Sequence, residues 1–298
     1  MPGLTEYASV ARAPFLLLPP TLVASGAAAS AWDGSFSWPH TAMALIGLVA
    51  LHMAVNILNE WSDMRTGIDL NTERTPFSGG SGTLPAGGMG GRTALIFGLA
   101  CAAIGLVVGV WFIPRIGTAL IPIMVLGAIC VLAYTDALTR IGVGEIAAGF
   151  GLGAGPVVGT ALVQDGSWSR AAIAASVPAF LMTFNLLLLN EFPDEEADRE
   201  GGRKNLVLLL GRRPAALVYA VAAIATPICI AGSVVMGWLP ALALLGAVPS
   251  LLLFKPLQWA FGDTDRPVPI PALGANVAWN LATNTLIAVG LVVAVVTR

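Results

Sequence analysis

Nine runs of apolar residues, each near the length a helix needs to cross a bilayer, recur along this chain and constrain its fold more than any other feature. A spanning helix takes about 20 such residues. The runs cover residues 13–31, 40–58, 93–113, 116–134, 143–163, 171–189, 215–236, 239–253 and 276–296. Inside a bilayer the backbone must satisfy its own hydrogen bonds, so runs of this length fold as helices. The expected architecture is all-α: a polytopic membrane protein of nine transmembrane helices, forming one domain over 1–298. The eighth run is the shortest and carries Pro249. The first follows Arg12 and ends in small residues, as a signal peptide does. Recurrence of similar runs along the chain favours a first spanning helix instead.

Composition agrees. Hydrophobic residues make up 56% and charged residues 11% of the chain, against about 25% charged in soluble domains. The net charge of −2 and the lack of a basic stripe give no reason to expect a nucleic-acid partner. Cys101, Cys130 and Cys229 lie within apolar runs, form no CxxC, and read as small packing residues. His40 and His52 lack ligand-like spacing, and His52 is expected to pack or hydrogen-bond within its helix.

Basic residues set the orientation. With the N-terminus in the cytosol, only Arg115, Arg170 and Arg298 of the fifteen Lys and Arg residues fall outside. Two of the inside segments are long and polar, 59–92 and 190–213. The chemistry of the chain gathers there.

The second apolar run leads into Asn56-Ile-Leu-Asn59-Glu60-Trp61-Ser62-Asp63, followed by Gly67-Ile-Asp69. The sixth leads into Asn190-Glu191-Phe192-Pro193-Asp194-Glu195-Glu196-Ala197-Asp198. Asn59, Glu60 and Asp63 thus repeat as Asn190, Glu191 and Asp194. On a helix, residues four apart share a face. Asn59 and Asp63 then point one way, as do Asn190, Asp194 and Asp198, while Asn56, Glu60 and Asp63 form a second stripe. Carboxylate and amide oxygens suit Mg²⁺, which completes its shell with water and phosphate. Two acidic faces would repel each other unless bridging cations clamp an anion such as a diphosphate between them.

Carboxylates just outside a span are often only solvated, which accounts for Glu195, Glu196 and Glu200. It does not account for matched Asn and Asp in both copies, and ionisable groups at membrane depth point to function. Arg74, Arg203 and Lys204 stand where a diphosphate needs charge, although basic residues are expected inside in any case. The Gly/Ser-rich segment 74–88 is either a linker or a lid. Its place directly after the first motif favours a lid, and it is no P-loop, because no Gly-Lys-Ser/Thr follows.

These residues resemble the UbiA superfamily of intramembrane prenyltransferases, which carries two Asp-rich motifs after helices 2 and 6 of a nine-helix bundle. Within it the chain is most similar to the 1,4-dihydroxy-2-naphthoate prenyltransferases of menaquinone synthesis. Asn59-Glu60-Trp61-Ser62-Asp63 with Gly67-Ile68-Asp69, Tyr134-Thr135, Gly144-Glu145, the 155–160 segment and the stretch through Asp198 to Lys204 carry the resemblance. Glu60 replaces the usual Asp. Gly67 stands where the general pattern has its third acid.

The resemblance implies Mg²⁺-dependent alkylation of an aromatic acceptor by a prenyl diphosphate, at the cytosolic face of a bacterial inner membrane. Asn59, Asp63, Asn190, Asp194 and Asp198 would hold the metal. Asn56, Asn59, Glu60, Asp69, Arg74, Glu191, Arg203 and Lys204 would contact substrate, and Asp63, Asp194, Asp198 and Tyr134 would act in catalysis. The π face of Tyr134 would stabilise an allylic cation, or serve only as an interfacial anchor. Gly149, Gly151, Gly153 and Gly155 would permit close packing or open room for an isoprenoid tail. A transporter and a membrane terpene cyclase are the competing classes.

Overall fold

A computed structural model describes residues 2–72 and 74–298, and among them every regular element is helical. Among the described residues eight helices are long and apolar enough to cross a membrane, and a ninth apolar helix is shorter. They are α1 (Ala13–Trp32), α2 (Trp38–Thr66), α3 (Gly91–Ile116), α4 (Thr118–Leu132), α5 (Gly144–Asp165), α6 (Arg170–Glu191), α7 (Arg212–Val235), α8 (Ala241–Phe261) and α9 (Ile270–Val296). The fourth run stops short of its expected end, so Tyr134 lies in the turn beyond α4. The eighth extends past its expected end, as a 3₁₀ segment Ala241–Leu253 running into Phe254–Phe261.

Local chemistry sets the boundaries. Ser37 and Ser169 cap α2 and α6, each accepting from a backbone N–H in the first turn. Gly67 ends α2 in the left-handed region, at φ 86°, a conformation that only glycine adopts freely. The chain then turns at once into a single helical turn, Ile68–Asn71, which carries Asp69.

The interior is built from small residues. Ala171, Ala172, Ala174, Ala175 and Ala179 of α6 are buried against α1, α5 and α9. Gly26 of α1 abuts the Val157 carbonyl of α5, and Gly290 of α9 abuts that of Leu242. Large apolar side chains such as Val107, Val221 and Ile228 face outward instead. An apolar exterior of this extent suits lipid rather than water, and the protein is an integral membrane protein.

One irregularity shapes the interior. Residues Phe150–Ala154 of α5 form a π turn with Leu152 at φ −118° and ψ 17°. Such turns loosen the backbone ladder and leave carbonyls to be satisfied elsewhere. The Leu152 carbonyl accepts from Thr183 Oγ of α6 at 3.1 Å. The glycine run around this kink divides its duties. Gly149 and Gly153 pack tightly on Phe180 and the Ala179 carbonyl, Gly155 on the Phe150 carbonyl of its own kink, and Gly151 lines a cavity.

Candidate active site

The two motifs meet where the short helix Glu195–Glu200 packs on Ile68–Asn71. Gly201 makes this possible, because a Cβ there would collide with the Ile68 side chain. The second motif is not one continuous helix, contrary to the expected i, i+4, i+8 face. Pro193 cannot continue α6, which ends at Glu191, and Asp194 becomes the N-cap residue of Glu195–Glu200. Asn190, Asp194 and Asp198 nonetheless all line the same cavity.

On the first motif, Asn59 Nδ2 donates to Asp63 Oδ2 at 2.8 Å, so the expected shared face forms. Thr135 Oγ donates to Asn59 Oδ1 at 3.1 Å. Ser62 and Arg65 both donate to Asp136, at 2.6 and 2.9 Å. These bonds fasten the turn after α4 to the end of α2 and bring Tyr134 onto the cavity wall.

Glu60, expected to contact substrate, turns away from that wall. It is 1% exposed and accepts from Ser81 N at 2.8 Å and Ser81 Oγ at 2.6 Å. The Gly79 backbone N–H lies near the Asp194 carboxylate and favours its charged form. The Gly/Ser-rich segment is therefore a cover fastened to the first motif through Glu60, with Phe77, Ser78, Gly79 and Gly80 facing the cavity. Gly80, at φ 70°, passes so close to Asp69 that a Cβ would lie 2.8 Å from Oδ1. Arg74, also expected to contact substrate, donates its guanidinium to the Asp69 carbonyl at 2.7 Å and braces the cover outside the cavity lining.

Arg203 is the electrostatic centre. It donates to Asp63, to Asp198 Oδ1 at 3.0 Å and to Asn59 Oδ1 at 3.2 Å, so one guanidinium bridges both motifs. Asn205 donates to the other Asp198 oxygen at 2.9 Å. Burial alone would disfavour the Arg203 charge, but Asp63 and Asp198 outweigh it and raise its pKa. Burial also raises Asp198, with Arg203 and Asn205 opposing. Asp69 is pushed up to about 7 by burial and by the charges of Asp63 and Glu60. Asp194 is pushed up to about 7 by burial and by Asp198. Burial raises the Tyr134 phenol, and Glu191 adds to the effect.

The cavity has an empty volume of about 1610 Å³ counting its open mouth. Its acidic end holds Asn59, Asp63, Asp69, Asn190, Glu191, Asp194 and Asp198, with Arg203 and Lys204 beside them. Its deeper end, between α2, α4, α5, α6 and α9, is mostly apolar, with Val131, Leu152, Leu186 and Leu187 in the wall. Asn56 stands between the two ends, its amide donating to the Ala11 carbonyl at 3.0 Å.

Does this donor set suit Mg²⁺? Among the described residues no three His, Cys, Asp or Glu side chains converge on one point as a ready-made cage. Mg²⁺ needs none, since it binds through one or two carboxylates and takes the rest of its octahedron from water and phosphate. The wall supplies oxygen ligands throughout, and Asp69 Oδ2, Asp194 Oδ1 and Glu191 Oε2 are buried without a hydrogen-bond partner. Native structures rarely leave such atoms unpaired. The residues fit the ion.

Residue patterns missed three parts of the wall. Arg12 lines it from the start of the chain, its guanidinium donating to the Phe77 carbonyl at 3.1 Å. Asn280 reaches it from α9, a helix with no acidic motif. His52 lines it too, and its Nδ1 is buried without a partner, so of the packing or hydrogen bonding expected of it no hydrogen bond forms. Only His52 left a signal, by standing four residues before Asn56 and eight before Glu60.

A chamber sunk among membrane helices, acidic at one end and apolar beyond, defines an intramembrane site for an amphiphile with an anionic head. The chain belongs to the UbiA prenyltransferase family, whose model matches residues 17–280, and it is a prenyltransferase. It is 27% identical over 265 residues to 1,4-dihydroxy-2-naphthoate octaprenyltransferase of Bacillus subtilis (strain 168), covering 84% of this chain and 80% of that protein. The fold matches a UbiA homolog from Aeropyrum pernix K1, with a TM-score of 0.72, 18% identity, and 94% and 97% of the two chains covered. A UbiA homolog from Archaeoglobus fulgidus bound to GPP and Mg²⁺ also matches, with a TM-score of 0.67, 18% identity, and coverage of 98% and 100%.

Proposed function

We propose that this prenyltransferase joins a prenyl diphosphate to 1,4-dihydroxy-2-naphthoate with loss of CO₂, at the cytosolic face of a bacterial inner membrane. The observation that carries this reading is the joining of both acidic motifs and Arg203 around the head of one chamber that continues into an apolar space. The naphthoate comes from the resemblance of the first motif and from the name of the Bacillus subtilis relative. The Archaeoglobus fulgidus homolog bound to GPP and Mg²⁺ supports the donor and the ion.

In this reading Asp63, Asp194 and Asp198, aided by Asn59 and Asn190, hold Mg²⁺ at the diphosphate, with Asp69 beside them. The ion supplies Lewis acidity to the developing negative charge on the leaving group. Arg203 and Lys204 add positive charge at the same end, and Arg203 is already fixed there by Asp63 and Asp198. The cover held by Glu60 excludes water, which would otherwise quench an allylic cation. Tyr134 presents a ring in the wall between the acidic end and the apolar space, where it stabilises positive charge.

The C–O bond of the donor breaks and its electron pair leaves with diphosphate. The acceptor carbon bearing the carboxylate attacks C1 of the prenyl group. The bond to the carboxylate then breaks, CO₂ departs, and the electron pair restores the aromatic ring. The product is a prenyl naphthalenediol.

The test supplies purified protein with one labelled prenyl diphosphate and equal concentrations of 1,4-dihydroxy-2-naphthoate and 4-hydroxybenzoate. Products are identified by mass. The expected product is the decarboxylated prenyl naphthalenediol, formed in preference. Preference for 4-hydroxybenzoate would reject the naphthoate, and a cyclised hydrocarbon with neither acceptor consumed would reject transfer to an aromatic ring.

A further inference from the structure

His52 is a polar group with no structural employment. It sits within the apolar stretch of α2 and is 4% exposed, and its Nδ1 is fully buried without a hydrogen-bond partner. A buried polar atom left unpaired is unfavourable, and native proteins keep few of them. An imidazole serving only to pack would cost more than leucine at this position. The ring instead forms part of the wall of the substrate chamber.

Its position in the chamber is specific. His52 and Asn56 are spaced four apart on α2, and both line the chamber. At a rise of 1.5 Å per residue, His52 lies about 6 Å deeper than Asn56 and about 10 Å deeper than Asn59. A diphosphate held at Asn59 and Asp63 leaves that interval for the acceptor ring, with His52 at its far end. Val55, Val131 and Leu187 of the surrounding wall are apolar, and away from the acidic end Arg12, Asn56, Thr183 and Asn280 are the polar side chains that share the cavity with His52. A neutral imidazole carries one N–H donor and one acceptor nitrogen.

We propose that His52 is a positioning residue for the acceptor, its ring nitrogen accepting a hydrogen bond from a hydroxyl on the aromatic ring. This rests on the aromatic-acceptor reading above. The bond fixes which ring carbon faces the prenyl donor. It also draws the O–H electrons toward the ring, which strengthens the ring carbon as a nucleophile. No proton need be transferred for either effect.

The test compares wild type with His52→Leu and His52→Gln, using 1,4-dihydroxy-2-naphthoate and its two monomethyl ethers as acceptors. The KM of the acceptor, the KM of the prenyl diphosphate and thermal stability are measured separately. His52→Leu should raise the acceptor KM about tenfold or more, the equivalent of about 1.4 kcal/mol, with the donor KM unchanged. Its thermal stability should equal or exceed that of wild type, because an unpaired polar group has been replaced by an apolar one. His52→Gln, which keeps an acceptor atom, should recover most of the loss. Methylating the recognised hydroxyl should weaken wild type and add nothing to His52→Leu.

An unmoved acceptor KM in His52→Leu would overturn the proposal. So would a loss that tracks falling stability, or methylation effects that add fully in the variant. Those outcomes leave prenyl transfer standing. A wild-type protein that alkylates no hydroxylated aromatic would overturn the aromatic-acceptor reading and this proposal with it.

Discussion

Replacing Arg203 tests the logic of the acidic site without relying on turnover. Its guanidinium bridges Asp63 and Asp198, and the three side chains are only 16%, 6% and 3% exposed. Removing one partner of a buried ion pair leaves the other charge uncompensated, at a cost of about 3–5 kcal/mol. Arg203→Ala should therefore destabilise the protein by about that amount in EDTA. Mg²⁺ and the guanidinium draw on the same carboxylate oxygens, so in wild type the ion must displace a bound cation. In Arg203→Ala it meets two unpaired carboxylates. Added Mg²⁺ should stabilise the variant much more than wild type, since ligand binding to the folded state raises stability with affinity. Arg203→Lys should fall between, because a point charge cannot hold both carboxylates as a planar fork does. Unfolding in detergent, followed by intrinsic tryptophan fluorescence with EDTA or Mg²⁺, reads all three. Equal stability of Arg203→Ala and wild type in EDTA, or equal stabilisation by Mg²⁺, would refute the placement of the ion at Asp63 and Asp198.

Asp63→Ala and Asp194→Ala should each lower turnover at least about a hundredfold, since a lost metal ligand removes several kcal/mol of transition-state stabilisation; near-normal activity of either, or in EDTA, would remove Mg²⁺ from the mechanism. Glu60→Ala should free the cover over 74–88, raising its cleavage in limited proteolysis while Mg²⁺ affinity, measured calorimetrically, holds. Burial and neighbouring carboxylates push Asp69 and Asp194 up to about 7, so protons compete with the ion below that pH; Mg²⁺ affinity should fall from pH 8 to pH 6, with proton release on binding, and a flat profile would contradict the assignment. Cysteines at the exposed positions Ala86 and Glu200 should be labelled only from the cytosol, and one at Ser167 only from outside; the reverse pattern would invert the topology.

Sequence determined the helical membrane class because the bilayer imposes a local rule. Each span must be apolar over its own length and must satisfy its own backbone. The nine apolar helices among the described residues, and the two acidic loop regions, follow from composition read run by run, but composition made the eighth helix the short one where the structure shortens the fourth. Asn59 and Asp63 were legible as a pair because helical spacing carries them. The break after Glu191 was written in Pro193, yet the repeated spacing obscured it.

Tertiary structure alone decided which side chains face the chamber, because that depends on partners far apart in the chain. Glu60 belongs to the cover because Ser81 is folded over it, and Arg74 braces Asp69 because the cover returns beneath it. Arg203 joins the two motifs only once Gly201 has let them pack together. Arg12 and Asn280 carry no local pattern and enter the site through the meeting of α1 and α9 with the bundle. A local rule leaves its mark in adjacent residues, whereas a shared cavity is a property of where helices cross, which side-chain packing settles.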